Sequence, residues 1–171
     1  MDEILVVVDM QNDFVSGALG TPQAQAILPA VVQLAREFEG EVVFTRDTHG
    51  DDYLQTQEGR ALPVPHCLRG SPGWQLADEL EQFRKEKGCR VFDKPTFGSE
   101  ELAAYLRARR PERVVLCGVC TDICVVSNAL LLRALLPETP LFVAARYCAG
   151  TTEKSHFYAL ETMKSCQILQ I

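Results

Sequence analysis

"RVVLCGVCTDICVVSNALLLRALL", residues 113–136, changes its period halfway along. Arg113–Val119 is short, β-branched and apolar on both faces, as a buried parallel strand is. From Thr121 the apolar residues recur at helical spacing as far as Leu136. A strand that runs directly into a helix is half of a β-α-β unit. The same alternation fills the rest of the chain. Strand-length apolar runs occupy 4–9, 41–45, 89–93, 140–145 and 167–171. Helical patterns lie between them at 29–40, 74–88, 99–110 and 153–165. In the first of these Pro29 suits a first helical turn and Gly40 a stop. Ser99 suits an N-cap, with acids after it and arginines in the last turn. Alternation of this kind predicts an α/β fold, an open doubly wound sheet with right-handed crossovers. Ligands of such sheets sit beyond the carboxyl ends of the strands, near the point where strand order reverses.

The whole chain sets limits on partners. Its 171 residues suit one domain, 1–171. Hydrophobic residues are 47% and charged residues 23%, the balance of an ordinary globular protein. A net charge of −6 argues against nucleic acid, whose phosphates need a basic footprint. No apolar run approaches a membrane span. The first fourteen residues, "MDEILVVVDMQNDF", lack the basic start and small-residue cleavage site of a secretory signal. A cytoplasmic protein is therefore expected, with its seven cysteines mostly reduced.

Three of those cysteines, Cys117, Cys120 and Cys124, fall within eight residues. A zinc knuckle would need a second ligand pair further on, and no matching Cys/His pair follows. Cys117 lies inside the strand, where a thiol is usually a small buried hydrophobe and where a redox pair is out of place. Cys124 differs, because it falls in the first turn of the helix. There the helix dipole and free N–H groups favour a thiolate and can hold an oxyanion. Asp9 and Lys94 each stand at a strand end and can converge on it. The alternative is that both are ordinary strand-end charges. The segment 46–73 is polar, Gly- and Pro-containing, and too long for a plain connection, which points to a functional loop.

The segments "VVVDMQNDF", "FDKPTFGS" and "GVCTDICV" resemble, in order and spacing, the three signatures of the isochorismatase-like cysteine hydrolases. The resemblance covers essentially the whole chain. It implies a six-stranded parallel sheet with helices on both faces, a three-layer sandwich. Residue by residue, it makes Asp9 the proton acceptor, Lys94 the lysine and Cys124 the nucleophile. It also implies a cis peptide before Cys120, and an oxyanion hole from the backbone N–H groups of Cys120 and Cys124. The loop "RDTHGDDYLQTQEGRALPVPHC" resembles the metal site of nicotinamidases: Asp47, His49 and His66 would bind one divalent ion, with Glu58 as a further carboxylate ligand. Two imidazoles with oxygens suit zinc, and also iron(II) or manganese(II). Phe14 and Trp74 match aromatics that line the ring pocket.

The expected activity is that of an amidohydrolase converting nicotinamide to nicotinate and ammonia, a step of NAD salvage, through a thioester. The expected partners are a small amide and further copies of the same chain. The rival expectations are another small amide, the isochorismate vinyl ether, and a non-catalytic binding protein. Gln11 and Asp13 read as structural. Asp122 reads as orienting the helix start or complementing its dipole. His156 reads as part of a solvated helix face.

Overall fold

The computed structural model describes residues 2–171. In chain order the elements are β1 (Glu3–Val8), α1 (Asn12–Val15), α2 (Pro22–Glu37), β2 (Glu41–Asp47), α3 (Gln57–Ala61), α4 (Asp78–Lys87) and β3 (Val91–Lys94). Then follow α5 (Glu100–Arg109), β4 (Arg113–Val119), α6 (Val126–Leu135), β5 (Leu141–Ala149), α7 (Glu153–Ser165) and β6 (Leu169–Gln170). All strand pairs are parallel, in the order β3-β2-β1-β4-β5-β6. Helices α2 and α4 pack together, as do α5 with α6 and α6 with α7, which makes the three-layer sandwich expected. No helix among the described residues is long and apolar enough to cross a membrane.

The strands form because both of their faces are covered. Ile4, Leu5, Val6, Val7 and Val8 are all fully buried. Each such side chain contributes about 1.5–3 kcal/mol relative to exposure. The sheet steps outward through β2 and β3, and returns to β4 beside β1. That reversal opens a crevice between the carboxyl ends of β1 and β4, where crossovers diverge to opposite faces. The register sets what meets there. Val8 is opposite Gly118 on one side and Thr45 on the other, and Asp47 is opposite Lys94.

Two helix starts differ from expectation: α4 begins at Asp78 and not at Trp74, and α2 begins earlier than expected. Helix α2 begins at Pro22, so Pro29 lies inside the helix and not at its start. The Thr21 hydroxyl accepts the Ala24 N–H at 3.0 Å, and Pro22 occupies the first turn, where its missing N–H costs nothing. Pro29 is exposed, so the gap that it leaves in the helix ladder faces water.

Gly118, next to last in β4, has φ 112, and a Cβ there would run into the backbone of Val8. Both the dihedral and the close approach therefore require glycine. Gly118→Ala is expected to lower unfolding stability by more than about 2 kcal/mol, since neither backbone can yield without shearing the sheet. Urea denaturation reads this directly, and a change below about 0.5 kcal/mol, the scale of a neutral surface substitution, would contradict it.

Candidate active site and metal centre

Four strand ends bring the expected residues together. Asp9 follows β1 in the left-handed region, with φ 48. The Thr45 hydroxyl donates to its Oδ1 at 2.6 Å. Lys94 ends β3, and its Nζ lies 2.6 Å from Asp9 Oδ2, 3.5 Å from Cys124 Sγ and 3.6 Å from Asp47 Oδ1. Asp9 and Lys94 have no exposed side-chain surface. Burial pushes the Asp9 carboxyl up, and the Lys94 charge pulls it back. Burial likewise disfavours the Lys94 ammonium, but Asp9, Cys124 and Asp47 outweigh it and hold the amine charged, above its ordinary range.

Cys124 lies in a π-helical turn, Thr121–Val125, that leads into α6, and the Val119–Cys120 peptide is cis. The sequence places Cys124 at a helix start where a thiolate is favoured. The structure corrects this electrostatic expectation. Burial pushes the thiol well above its ordinary range, and the neighbouring Asp9 carboxylate adds to the effect, against Lys94. Asp9 is the carboxylate placed beside it, bridged to the sulfur by Lys94 Nζ.

The turn is tied down from outside. Asp122 accepts from the Thr151 N–H at 2.8 Å and from its hydroxyl at 2.5 Å, which makes it an anchor of the turn. His156 is half-buried, not solvated. Its Nδ1 lies 2.8 Å from the Thr121 hydroxyl, and burial lowers its basicity.

The second cluster is the one that the resemblance implies. One ligand atom from each of Asp47, His49, Glu58 and His66 lies within 4.8 Å of the others. Asp47 Oδ2 is 2.9 Å from His49 Nε2 and 3.3 Å from His66 Nε2, while Glu58 Oε1 is 3.6 and 3.8 Å from the same nitrogens. Burial opposes ionisation of Asp47, yet the hydrogen bonds from both histidines and the charge of Lys94 hold it well below the usual carboxylate range.

The donor set fits a divalent ion. His66 Nδ1 lies 2.8 Å from the Val64 carbonyl, which only accepts, so Nδ1 carries the proton. That leaves the Nε2 lone pair facing two carboxylates, an arrangement that needs a proton or a cation between them. Burial lowers His66, but Asp47, the Val64 carbonyl and Glu58 raise it on balance, the response of a site short of positive charge. Burial and Asp47 push Glu58 up in the same sense. Asp47 Oδ1 accepts no hydrogen bond. Three carboxyl groups, Asp9, Asp47 and Glu58, gather around one ammonium, Lys94, which leaves room for added positive charge.

Several side chains support the two clusters; Thr45 and Tyr53 have no signature in the sequence, while Gln11 and Asp13 are structural as expected. Thr45 aims Asp9. Tyr53, almost fully buried, packs its ring 4.7 Å from His49 and 5.0 Å from His66 and donates to Leu62 O at 2.8 Å. Gln11, fully buried, brackets Asp47: its Oε1 accepts the Asp47 N–H at 2.7 Å, and its Nε2 donates to Asp47 O and Trp74 O, each at 2.9 Å. Asp13 holds the Cys67 N–H at 2.7 Å, beside His66. Of the two expected pocket aromatics, Phe14 meets the His66 ring edge-on at 5.5 Å. Trp74 stacks under the Arg46 guanidinium at 3.6 Å and donates to the Thr48 hydroxyl at 2.8 Å. A groove of about 1280 Å³ between α5 and α6 contains none of the converging groups. Chemistry marks this site, and cavity size does not.

Comparison with known proteins agrees with the geometry. A model of the isochorismatase domain matches residues 3–170. A Bacillus subtilis protein described as the uncharacterized isochorismatase family protein PncA is 32% identical, over 94% of this chain and 93% of its own. The nicotinamidase/pyrazinamidase of Mycobacterium tuberculosis is 28% identical, over 96% and 95%. The crystal structure of a Pyrococcus horikoshii pyrazinamidase in complex with zinc covers 100% of this chain and 99% of its own, with TM-score 0.81 and 31% identity.

Proposed function

The chain belongs to the isochorismatase family, and from that premise we propose that it is a metal-containing cysteine amidohydrolase that converts nicotinamide to nicotinate and ammonia. One observation carries the reading: Lys94 Nζ lies within 3.6 Å of Asp9, Cys124 and Asp47, so a nucleophile site and a ligand cluster share one cation. The names of the Mycobacterium tuberculosis and Pyrococcus horikoshii relatives support an amide on a nitrogen heterocycle as the substrate class. The zinc in the latter supports zinc as the ion.

In the proposed reaction Asp9 takes the Cys124 proton as sulfur attacks the amide carbon. Backbone N–H groups of Cys120 and Cys124 receive the negative oxygen. Asp9 returns the proton to the amide nitrogen, the C–N bond breaks, and ammonia leaves a thioester. Asp9 then takes a proton from a water that attacks the thioester and passes it to the departing Cys124 sulfur, and the acid formed loses its remaining proton to solvent and leaves as nicotinate. Lys94 stays charged throughout and keeps Asp9 an anion able to accept. Asp47, His49, Glu58 and His66 would hold a divalent ion, which would supply a Lewis acid beside the Lys94–Cys124 pair. Phe14 and Tyr53 hold the histidine rings in place.

Ammonia release from a panel of nicotinamide, pyrazinamide and carbamoyl compounds, with and without chelator, tests the reading. Turnover of nicotinamide that falls on chelation is the expected result. Isochorismate cleavage with no amide turnover would replace it.

Metal analysis gives a separate prediction. The purified protein should carry close to one divalent ion per chain. His66→Ala should weaken metal binding by more than the roughly 10- to 100-fold that loss of an outer-shell partner costs. Binding should also weaken as pH falls, because imidazoles ligate only when neutral. Full activity in exhaustively chelated, metal-free protein would remove the ion from the reading.

A further inference from the structure

Asn128 sits inside α6, where asparagine is a poor helix former because its amide competes for backbone groups. It is 1% exposed, so the amide must find all its partners within the protein. Its Oδ1 accepts the Ser99 N–H at 2.9 Å. Its Nδ2 donates to Phe97 O at 3.1 Å and to Cys124 O at 2.8 Å. A backbone N–H only donates and a carbonyl only accepts, so these partners fix which way round the amide stands.

The partners are the informative part. Phe97 and Ser99 lie on the loop that leaves β3, and the same loop turns back on Lys94, whose Nζ donates to Thr96 O at 3.1 Å. Cys124 is the residue one turn before Asn128. A single buried side chain thus joins the backbone of the lysine loop to the backbone of the thiol. Lys94 and Cys124 are 30 residues apart and come from different crossovers, yet Nζ and Sγ stand 3.5 Å apart.

We infer that Asn128 is a positioning residue, which sets the separation between the Lys94 ammonium and the Cys124 sulfur by clasping the 97–99 loop to the π-helical turn. The inference rests on the cysteine-hydrolase reading above. It is not a claim about folding alone: a clasp that only stabilised the protein would leave each correctly folded molecule with a normal thiol. Lys94 opposes the upward push on that thiol, so a slackened clasp should alter the thiol itself.

The test uses the metal-loaded protein with Asn128→Ala and Asn128→Asp. Turnover of nicotinamide is expressed per chain whose Cys124 is alkylated by iodoacetamide, with labelling located by peptide mass spectrometry. Asn128→Ala should lower kcat by about 10- to 100-fold, the scale of an ångström-sized misplacement, with KM within about threefold. The pH midpoint of Cys124 alkylation should move up by at least about half a unit, because an opposing cation has receded. Better access to the thiol would raise the plateau but leave the midpoint alone. Asn128→Asp keeps the shape. Ionised, it sets an oxygen against Phe97 O and Cys124 O; protonated, it can donate again. Its kcat relative to wild type should therefore recover as pH is lowered from 8 to 6. A kcat per labelled site within twofold of wild type and an unmoved midpoint would overturn the inference. If Asn128→Ala does not accumulate folded, the pH ratio of Asn128→Asp decides alone, and a flat ratio overturns it. If wild type turns over no amide, the alkylation midpoint still decides the role of Asn128, while the substrate reading fails separately.

Discussion

Cys124→Ala is expected to lower nicotinamide turnover by at least about 10⁴-fold, the scale on which loss of a nucleophile acts. No second thiol can replace it. Cys117 and Cys148 are buried among apolar side chains, and burial pushes Cys117 well above and Cys148 up to about 12. Cys120 is nearer, but burial first and Asp122 second push it up to about 12 as well. The fold should survive, because alanine is tolerated in a helical turn and the removed sulfur takes no part in the Asn128 clasp, which uses the Cys124 carbonyl. Near-UV circular dichroism and an ammonia-coupled assay read the two halves. Cys117→Ala serves as the control and should lose far less. Folded Cys124→Ala protein with a tenth or more of wild-type turnover would put the nucleophile elsewhere.

Asp9→Asn should cost about 10²- to 10⁴-fold in turnover, the range that a positioned proton acceptor contributes. Asparagine is the informative replacement. It is among the few side chains at ease in the left-handed region that Asp9 occupies, so the backbone at φ 48 is kept. It can still accept from Thr45. What it loses is charge. Lys94 would then keep only Asp47 at 3.6 Å as a carboxylate partner, and a buried ammonium short of its counter-ion is destabilising by about 3–5 kcal/mol. Two readouts should therefore fall together, turnover and urea midpoint. The Lys94 amine should also lose its upward shift, since Asp9 is the first of the charges that outweigh its burial. Wild-type turnover in the variant would remove Asp9 from proton transfer, whatever happened to stability.

Much of this was legible before any coordinates. The strand Arg113–Val119 was readable to the residue because both its ends are punctuated, by a charged pair before it and by glycine and cysteines at its exit. The cap at Ser99 was readable because its partner is three residues away. Asp9, Lys94 and Cys124 could be named from strand ends and family segments. Other features depend on pairs that the chain brings together from afar. Thr45 looks like any strand threonine until β1 and β2 come into register. Asn128 looks like a flaw in a helix until the loop from β3 folds over it. The Thr21 cap is hidden in the sequence because Pro29 offers a second plausible start. Helix position suggested a low thiol pKa for Cys124, and burial reversed the sign, since desolvation is a property of the packed whole.

The bracket that Gln11 forms around Asp47 has a consequence for how such a site can be modified. Gln11 is two residues beyond Asp9, and its own N–H returns to Asp9 O at 2.7 Å. The span from Asp9 to Asp47 is therefore a rigid rod of short buried bonds, with no loop in it to lengthen. A designer seeking acceptance of longer amides cannot stretch that span piecemeal. Any one change there would strand a buried donor or acceptor, at about 1–3 kcal/mol each.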